Sequence, residues 1–97
     1  MNLSSKNKQK LKGIAHSFKP SLIIGKEGAS EATINSINMI FENKELIKIK
    51  FNSFKNEIDS ISEYIKNSCD AIILGNIGNI LILYKQNPDS EKRRYEF

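Results

Sequence analysis

The stretch Ile23-Ile24-Gly25-Lys26-Glu27-Gly28-Ala29-Ser30 dictates how the rest of the chain can fold. It reads as the end of a short buried strand, a loop bracketed by glycines, and the cap of a helix. Glycines at 25 and 28 free the backbone to turn sharply and let another backbone come close. Ser30 is a good N-cap, so the helix after it turns its unpaired N–H groups and positive dipole end toward the loop. With Lys26 beside it, such a junction is suited to a phosphate.

The segments on either side supply a scaffold. Ser4 or Ser5 opens a predicted helix over residues 4–18, with Leu11, Ile14, Ala15 and Phe18 as its apolar stripe. Lys8, Lys12 and His16 form a row on the other side, and Gly13 within the helix is expected at a close packing contact. Pro20 ends that helix, and Ser21 to Ile24 is the strand. A tight link should set helix and strand antiparallel, which would bring Lys8 and Lys12 beside the glycine loop. A second helix over 31–43 buries Ile34, Ile37, Ile40 and Phe41. From Glu45 to Asn52 the pattern alternates, with Ile47, Ile49 and Phe51 on one face and Lys48 and Lys50 on an open, basic one.

Strand, helix, strand implies a parallel pair with a right-handed crossover. Ser53 should cap a third helix in which Phe54, Ile58, Ile61 and Ile65 recur at helical spacing, while Glu57, Asp59 and Glu63 make its outer surface acidic. Two apolar runs around Gly78-Asn79 predict a hairpin on a type II′ turn, and Gly75 marks a candidate bulge. The fold class is thus α/β, a two-layer α+β arrangement in the order α-β-α-β-α-β-β with a mixed four-stranded sheet. Residues 1–88 form the single domain, and 89–97, with Lys92-Arg93-Arg94, read as a flexible basic tail.

Charge is distributed unevenly. Residues 1–26 hold six lysines and no acid, so against a chain total of +4 the remainder nets −2. A basic segment on a near-neutral body points to a polyanion-binding face; the plainer alternative is a solvated lysine helix. Cys69 and His16 are each the single residue of their type, which leaves no disulfide, no metal-ligand cluster and no thiol triad. Gly25-Lys26-Glu27-Gly28 lacks the Gly-Lys-Ser/Thr ending of a nucleotide-binding P-loop. No run of some 18 apolar residues is present. The expectation is a cytoplasmic, monomeric, non-catalytic protein without cofactor, membrane or small-molecule substrate.

Taken together and in order, Leu11-Lys12-Gly13-Ile14-Ala15-His16, Lys19-Pro20, Gly25-Lys26-Glu27-Gly28, Leu46-Ile47-Lys48-Ile49-Lys50 and Gly78 through Leu83-Tyr84-Lys85 resemble the bacterial YhbY type of the CRM domain (chloroplast RNA splicing and ribosome maturation) across roughly residues 3–86. The resemblance implies a fold similar to the C-terminal domain of bacterial translation initiation factor three. It also implies a stand-alone RNA-binding protein that associates with ribosomal RNA in precursors of the large (50S) subunit. The family's GxxG loop maps onto Gly25 and Gly28, with Lys26 and Glu27 between them, and its basic first helix onto Lys8 and Lys12. The expected RNA-binding residues are therefore Lys8, Lys12, Gly25, Lys26, Glu27, Gly28, Lys48 and Lys50, although the Glu27 carboxylate repels phosphate unless it points away or pairs with a lysine. Tyr64 and Tyr84 read as core or edge residues, which argues against a stacking platform of the RRM kind. The competing class is a protein-interaction module whose lysine helix docks an acidic ribosomal or translation-factor surface.

Overall fold

The computed structural model describes residues 2–95. Helix α1 spans Ser5–Ala15, strand β1 Leu22–Ile24, α2 Glu31–Phe41, β2 Leu46–Phe51, α3 Ile58–Cys69, β3 Ile72–Ile77 and β4 Ile80–Tyr84. The strands make one sheet in the order β1-β2-β4-β3. β1 pairs parallel with β2, and the other neighbours are antiparallel, so the element order and the mixed sheet are those read from the sequence.

Alternation along β2 splits the core. Ile47, Ile49 and Phe51 are fully buried beneath Ile34, Ile37 and Phe41 of α2 and Ile58 and Ile65 of α3. This sheet-and-helix pair is the main layer. On the opposite face α1 lays Leu11 and Ala15 against Leu46, Leu74, Ile82 and Tyr84. Ser4 caps α1, its hydroxyl accepting from Asn7 N at 3.1 Å. Gly13, however, is exposed, with nothing within 4 Å of where a Cβ would stand. It marks no packing contact.

The hairpin forms as its sequence requires. Gly78 has φ +60° and Asn79 is not left-handed, as a type II′ turn demands. The register slips between Ile73 and Gly75, which places the bulge at Leu74.

Two further expectations are corrected. The third helix does not begin at Ser53. The chain leaves β2 through Phe54, whose backbone is left-handed (φ 58°, ψ 37°), makes a short 3₁₀ turn over Lys55–Glu57, and only then enters α3. The chain beyond Pro88 is not loose as far as Tyr95. Buried Glu45 accepts from Asn87 N at 2.8 Å and from Arg94 N at 2.6 Å. Arg93 Nε donates to Asn87 O, and the Tyr95 ring meets Tyr84 edge-on at 6.4 Å. Residues 96 and 97, the end of the expected tail, lie outside the described residues.

Candidate nucleic-acid interface

The sheet has two distinct ends. Leu46, Tyr84 and Ile72 share one of them, and Ile24, Phe51 and the hairpin turn share the other, where Phe51 N donates to Asn79 O at 2.8 Å. The glycine loop leaves β1 at this second end. Gly28 N donates to Gly25 O at 3.0 Å, closing a β-turn that holds Lys26 and Glu27 at its exposed tip.

The two glycines are not equivalent. Gly28 has φ +70°, and a Cβ on it would stand 3.3 Å from Cε2 of Phe54. Gly25 has open space around it and an ordinary φ, so its lack of a side chain leaves the loop's outer surface bare. Behind the loop, Ser30 and Thr33 form a reciprocal capping box: Ser30 N donates to Thr33 Oγ1 at 3.0 Å and Thr33 N to Ser30 Oγ at 3.3 Å. Those two N–H groups are therefore engaged. Glu31 sits in the first turn of α2, so the positive end of that helix already faces a carboxylate. The groups at this end that would attract an anion are the loop backbone and the lysines more than the helix dipole.

The lysines do not converge as the sequence suggested. α1 packs on β3 and β2, crossing the sheet obliquely instead of running back along β1. The reason lies in the apolar surface: β1 has three residues, whereas Leu46, Leu74, Ile82 and Tyr84 lie on the other three strands. Lys8 consequently faces the far end, in a cleft that Glu63, Lys66 and Asp70 also line, away from the glycine loop. Lys12 extends over β3 at mid-sheet, where a Cβ on Gly75 would stand 3.2 Å from its Cε. The missing side chain at Gly75 gives that lysine its path.

Lys48 does not face an open surface either. Its Nζ donates to His16 O at 3.1 Å and Phe18 O at 3.2 Å, capping the carboxyl end of α1. Lys50 is exposed and stands near the glycine loop. It lies in a cross-strand row, paired with Ile23 on one side and Ile80 on the other, with Ile77 beyond. Residues in register point to the same face; Ile80 packs against the α1 cluster, but the two ends of the row stay open, with Ile23 57% exposed and Ile77 59%.

The loop end therefore gathers Gly25, Lys26, Glu27, Gly28 and Lys50, together with two residues that pattern reading missed, Phe54 and Lys55. Phe54 is 40% exposed, not core. Its spacing four before Ile58 mimics a helical stripe. The signal against that reading was the short interval Asn52-Ser53, which must turn the chain out of the sheet before a helix can start.

Electrostatically the two sides differ away from the cleft that Lys8 and Glu63 share. Lys6, Lys10 and Lys50 are exposed on the α1 side, while Asp59 is exposed on α3, where Glu63 pairs with Lys66 at 3.6 Å. Burial raises the pKa of the Cys69 thiol, with Lys85 partly opposing, so it is not a poised nucleophile. Among the described residues no group of three His, Cys, Asp or Glu is placed to hold a metal ion, and no helix is long and apolar enough to cross a membrane.

Comparison with known proteins agrees with the fold. The family model of the CRS1/YhbY (CRM) domain matches residues 3–85. An RNA-binding protein of Haemophilus influenzae is 33% identical over 90 residues, 92% of this chain and 91% of its own. YqeI of Bacillus subtilis, named a probable RNA-binding protein, is 26% identical over 93% of this chain and 95% of its own. A Staphylococcus aureus protein solved in solution, a candidate RNA binder, superposes with a TM-score of 0.79 at 27% identity, covering 98% of this chain and all of that one. With the α-β-α-β-α-β-β order, the GxxG turn and the family match all present, this chain belongs to the CRS1/YhbY (CRM) domain family.

Proposed function

We propose that this protein binds ribosomal RNA in precursors of the large ribosomal subunit, in the cytoplasm and without catalysing a reaction. The RNA backbone rests on the turn Gly25–Gly28, with Lys26 and Lys50 neutralising phosphates and the bare outer side of Gly25 allowing close approach. From there it runs along the α1 face, where Lys12 and, at the far end, Lys8 extend the track. Lys48 holds α1 in place and has one ammonium hydrogen left for solvent or phosphate. Glu27 projects from the tip of the turn, and its charge limits how many phosphates the loop accepts. Such contacts position RNA more than they read its sequence.

The observation that carries this reading is exposed Lys50, which lies between the lysine helix and a glycine turn on the sheet face opposite α2 and α3. The relatives' RNA-binding names support it.

The test is binding of a large-subunit ribosomal RNA fragment across a salt series, using wild type and a Lys26→Glu/Lys50→Glu variant. Each lysine that neutralises a phosphate should contribute about 0.7 to 0.9 to the log–log slope. The variant should therefore bind more weakly with a shallower slope while remaining folded by circular dichroism. Equal slopes would exclude the loop end as the phosphate site. Absence of saturable RNA binding by wild type, alongside binding to an acidic ribosomal protein, would favour protein docking instead.

A further inference from the structure

The glycine-loop end carries more than phosphate-binding groups. Of the five large hydrophobic side chains exposed among the described residues, three stand there: Ile23, Ile77 and Phe54. Phe54 is the unusual one. Its backbone is left-handed, a conformation that asparagine or glycine would adopt with less strain, and its side chain neither caps a helix nor enters the core. The ring instead lies against Gly28, so close that a Cβ there would stand 3.3 Å from Cε2 and 3.4 Å from Cζ. A ring held by its own backbone and propped on a glycine has little freedom to lose on binding. Lys55 follows it and is exposed, and Lys26 projects from the turn that Gly28 ends.

Building on the RNA-binding reading above, we propose that the Phe54 ring is a stacking platform for one unpaired base of the RNA whose backbone crosses the Gly25–Gly28 turn. The phosphate sits on the turn, and the base of a neighbouring nucleotide folds down onto the ring. Stacking requires a base free of its helix, so the preferred RNA has a loop, bulge or single strand at this point. Tyr64, 46% exposed on α3 next to Glu63, lies on the acidic face and does not share this role.

The test compares wild type, Phe54→Asn, Phe54→Tyr, Tyr64→Ala and Lys26→Glu/Lys50→Glu on a fluorescein-labelled single-stranded RNA of mixed sequence and on the same strand annealed as a duplex. Asparagine suits the left-handed backbone, so Phe54→Asn should melt at or above the wild-type temperature. It should nonetheless lose about 5- to 150-fold in affinity for the single strand, the range for one stacked base, with less than about twofold lost on the duplex. Its salt slope should match wild type, because no phosphate contact is removed. Phe54→Tyr should retain single-strand binding, and Tyr64→Ala should be neutral. Wild-type affinity in Phe54→Asn, with the lysine variant still weakened, would overturn the stacking role and leave RNA binding standing. Equal losses on both RNAs with a lowered melting temperature would show that the ring only supports the loop. No RNA binding by wild type would overturn both readings together.

Discussion

Gly28→Ala tests the geometry of the glycine turn most directly. Alanine at φ +70° brings its Cβ toward the following carbonyl, which costs about 1–2 kcal/mol for a left-handed residue. The new methyl would also meet Phe54 Cε2 at 3.3 Å. Because that ring is partly exposed it can shift by a few tenths of an ångström, so the contact adds little. The expected destabilisation is thus about 1.5 kcal/mol. In a domain of this size each kcal/mol moves the melting temperature by about 4–8 °C, giving a fall of about 6–12 °C. Gly25→Ala meets open space at an ordinary φ and restricts the unfolded chain, so it should be neutral or stabilise by up to about 1 kcal/mol. Gly28→Asn separates the two causes, since asparagine tolerates the backbone but carries the same Cβ; it should recover most of the loss. Thermal and urea unfolding followed by circular dichroism would measure all three. Equal destabilisation at 25 and 28 would refute the claim that only Gly28 is required by conformation. A loss in Gly28→Asn as large as in Gly28→Ala would assign the cost to the Phe54 contact.

Other consequences can be measured on the same protein. Glu45→Ala removes the carboxylate that holds Asn87 N and Arg94 N, and should cost about 2 kcal/mol. Trypsin should then cut after Lys92, Arg93 or Arg94 well before the body unfolds, and unchanged cleavage by mass spectrometry would contradict the clasp. Lys48→Met keeps the aliphatic stem but loses the cap on α1, so the urea midpoint should fall by an amount equivalent to about 1–2 kcal/mol. An unchanged midpoint with weakened RNA binding would instead make Lys48 chiefly an RNA contact. Burial, reinforced by the Glu45 carboxylate, pushes the Tyr84 phenol up to about 12. The folded state therefore favours the neutral phenol. That contribution is whole below about pH 10 and fades as pH rises toward 12, removing up to about 2–3 kcal/mol. Tyr84→Phe should show a smaller loss of stability than wild type over that window in urea titrations.

What sequence reading reached, and what escaped it, follows from the range of the interactions involved. The β2 alternation, the Ser30 cap and the Gly78-Asn79 hairpin are local: each is settled by residues within a few positions of one another. The glycine turn was visible for the same reason. α1 is different, because its start and its buried stripe were legible but its direction across the sheet was not. That direction depends on where Leu74, Ile82 and Tyr84 stand once the hairpin has folded, far along the chain. For this reason Lys8 stands at the end of the sheet away from the glycine loop. The alternating pattern correctly put Lys48 opposite Ile47, yet could not show that the carbonyls of His16 and Phe18 would be waiting there. Phe54 escaped because its spacing from Ile58 fits a helix, while the left-handed turn that exposes it leaves no mark in hydrophobic periodicity.

The two outer strands bear on how this protein behaves when many copies are present. An open sheet has unpaired backbone groups along both margins, and here Ile23 and Ile77, both exposed, lie on those margins. A long flat margin with such side chains would invite strand-to-strand polymerisation. β1, however, has three residues before the glycine turn bends the chain away, and β3 is interrupted by its bulge between Ile73 and Gly75. Neither margin gives a second copy an unbroken ladder to extend. The domain can therefore keep greasy side chains in the open while resisting the assembly those same side chains would otherwise nucleate.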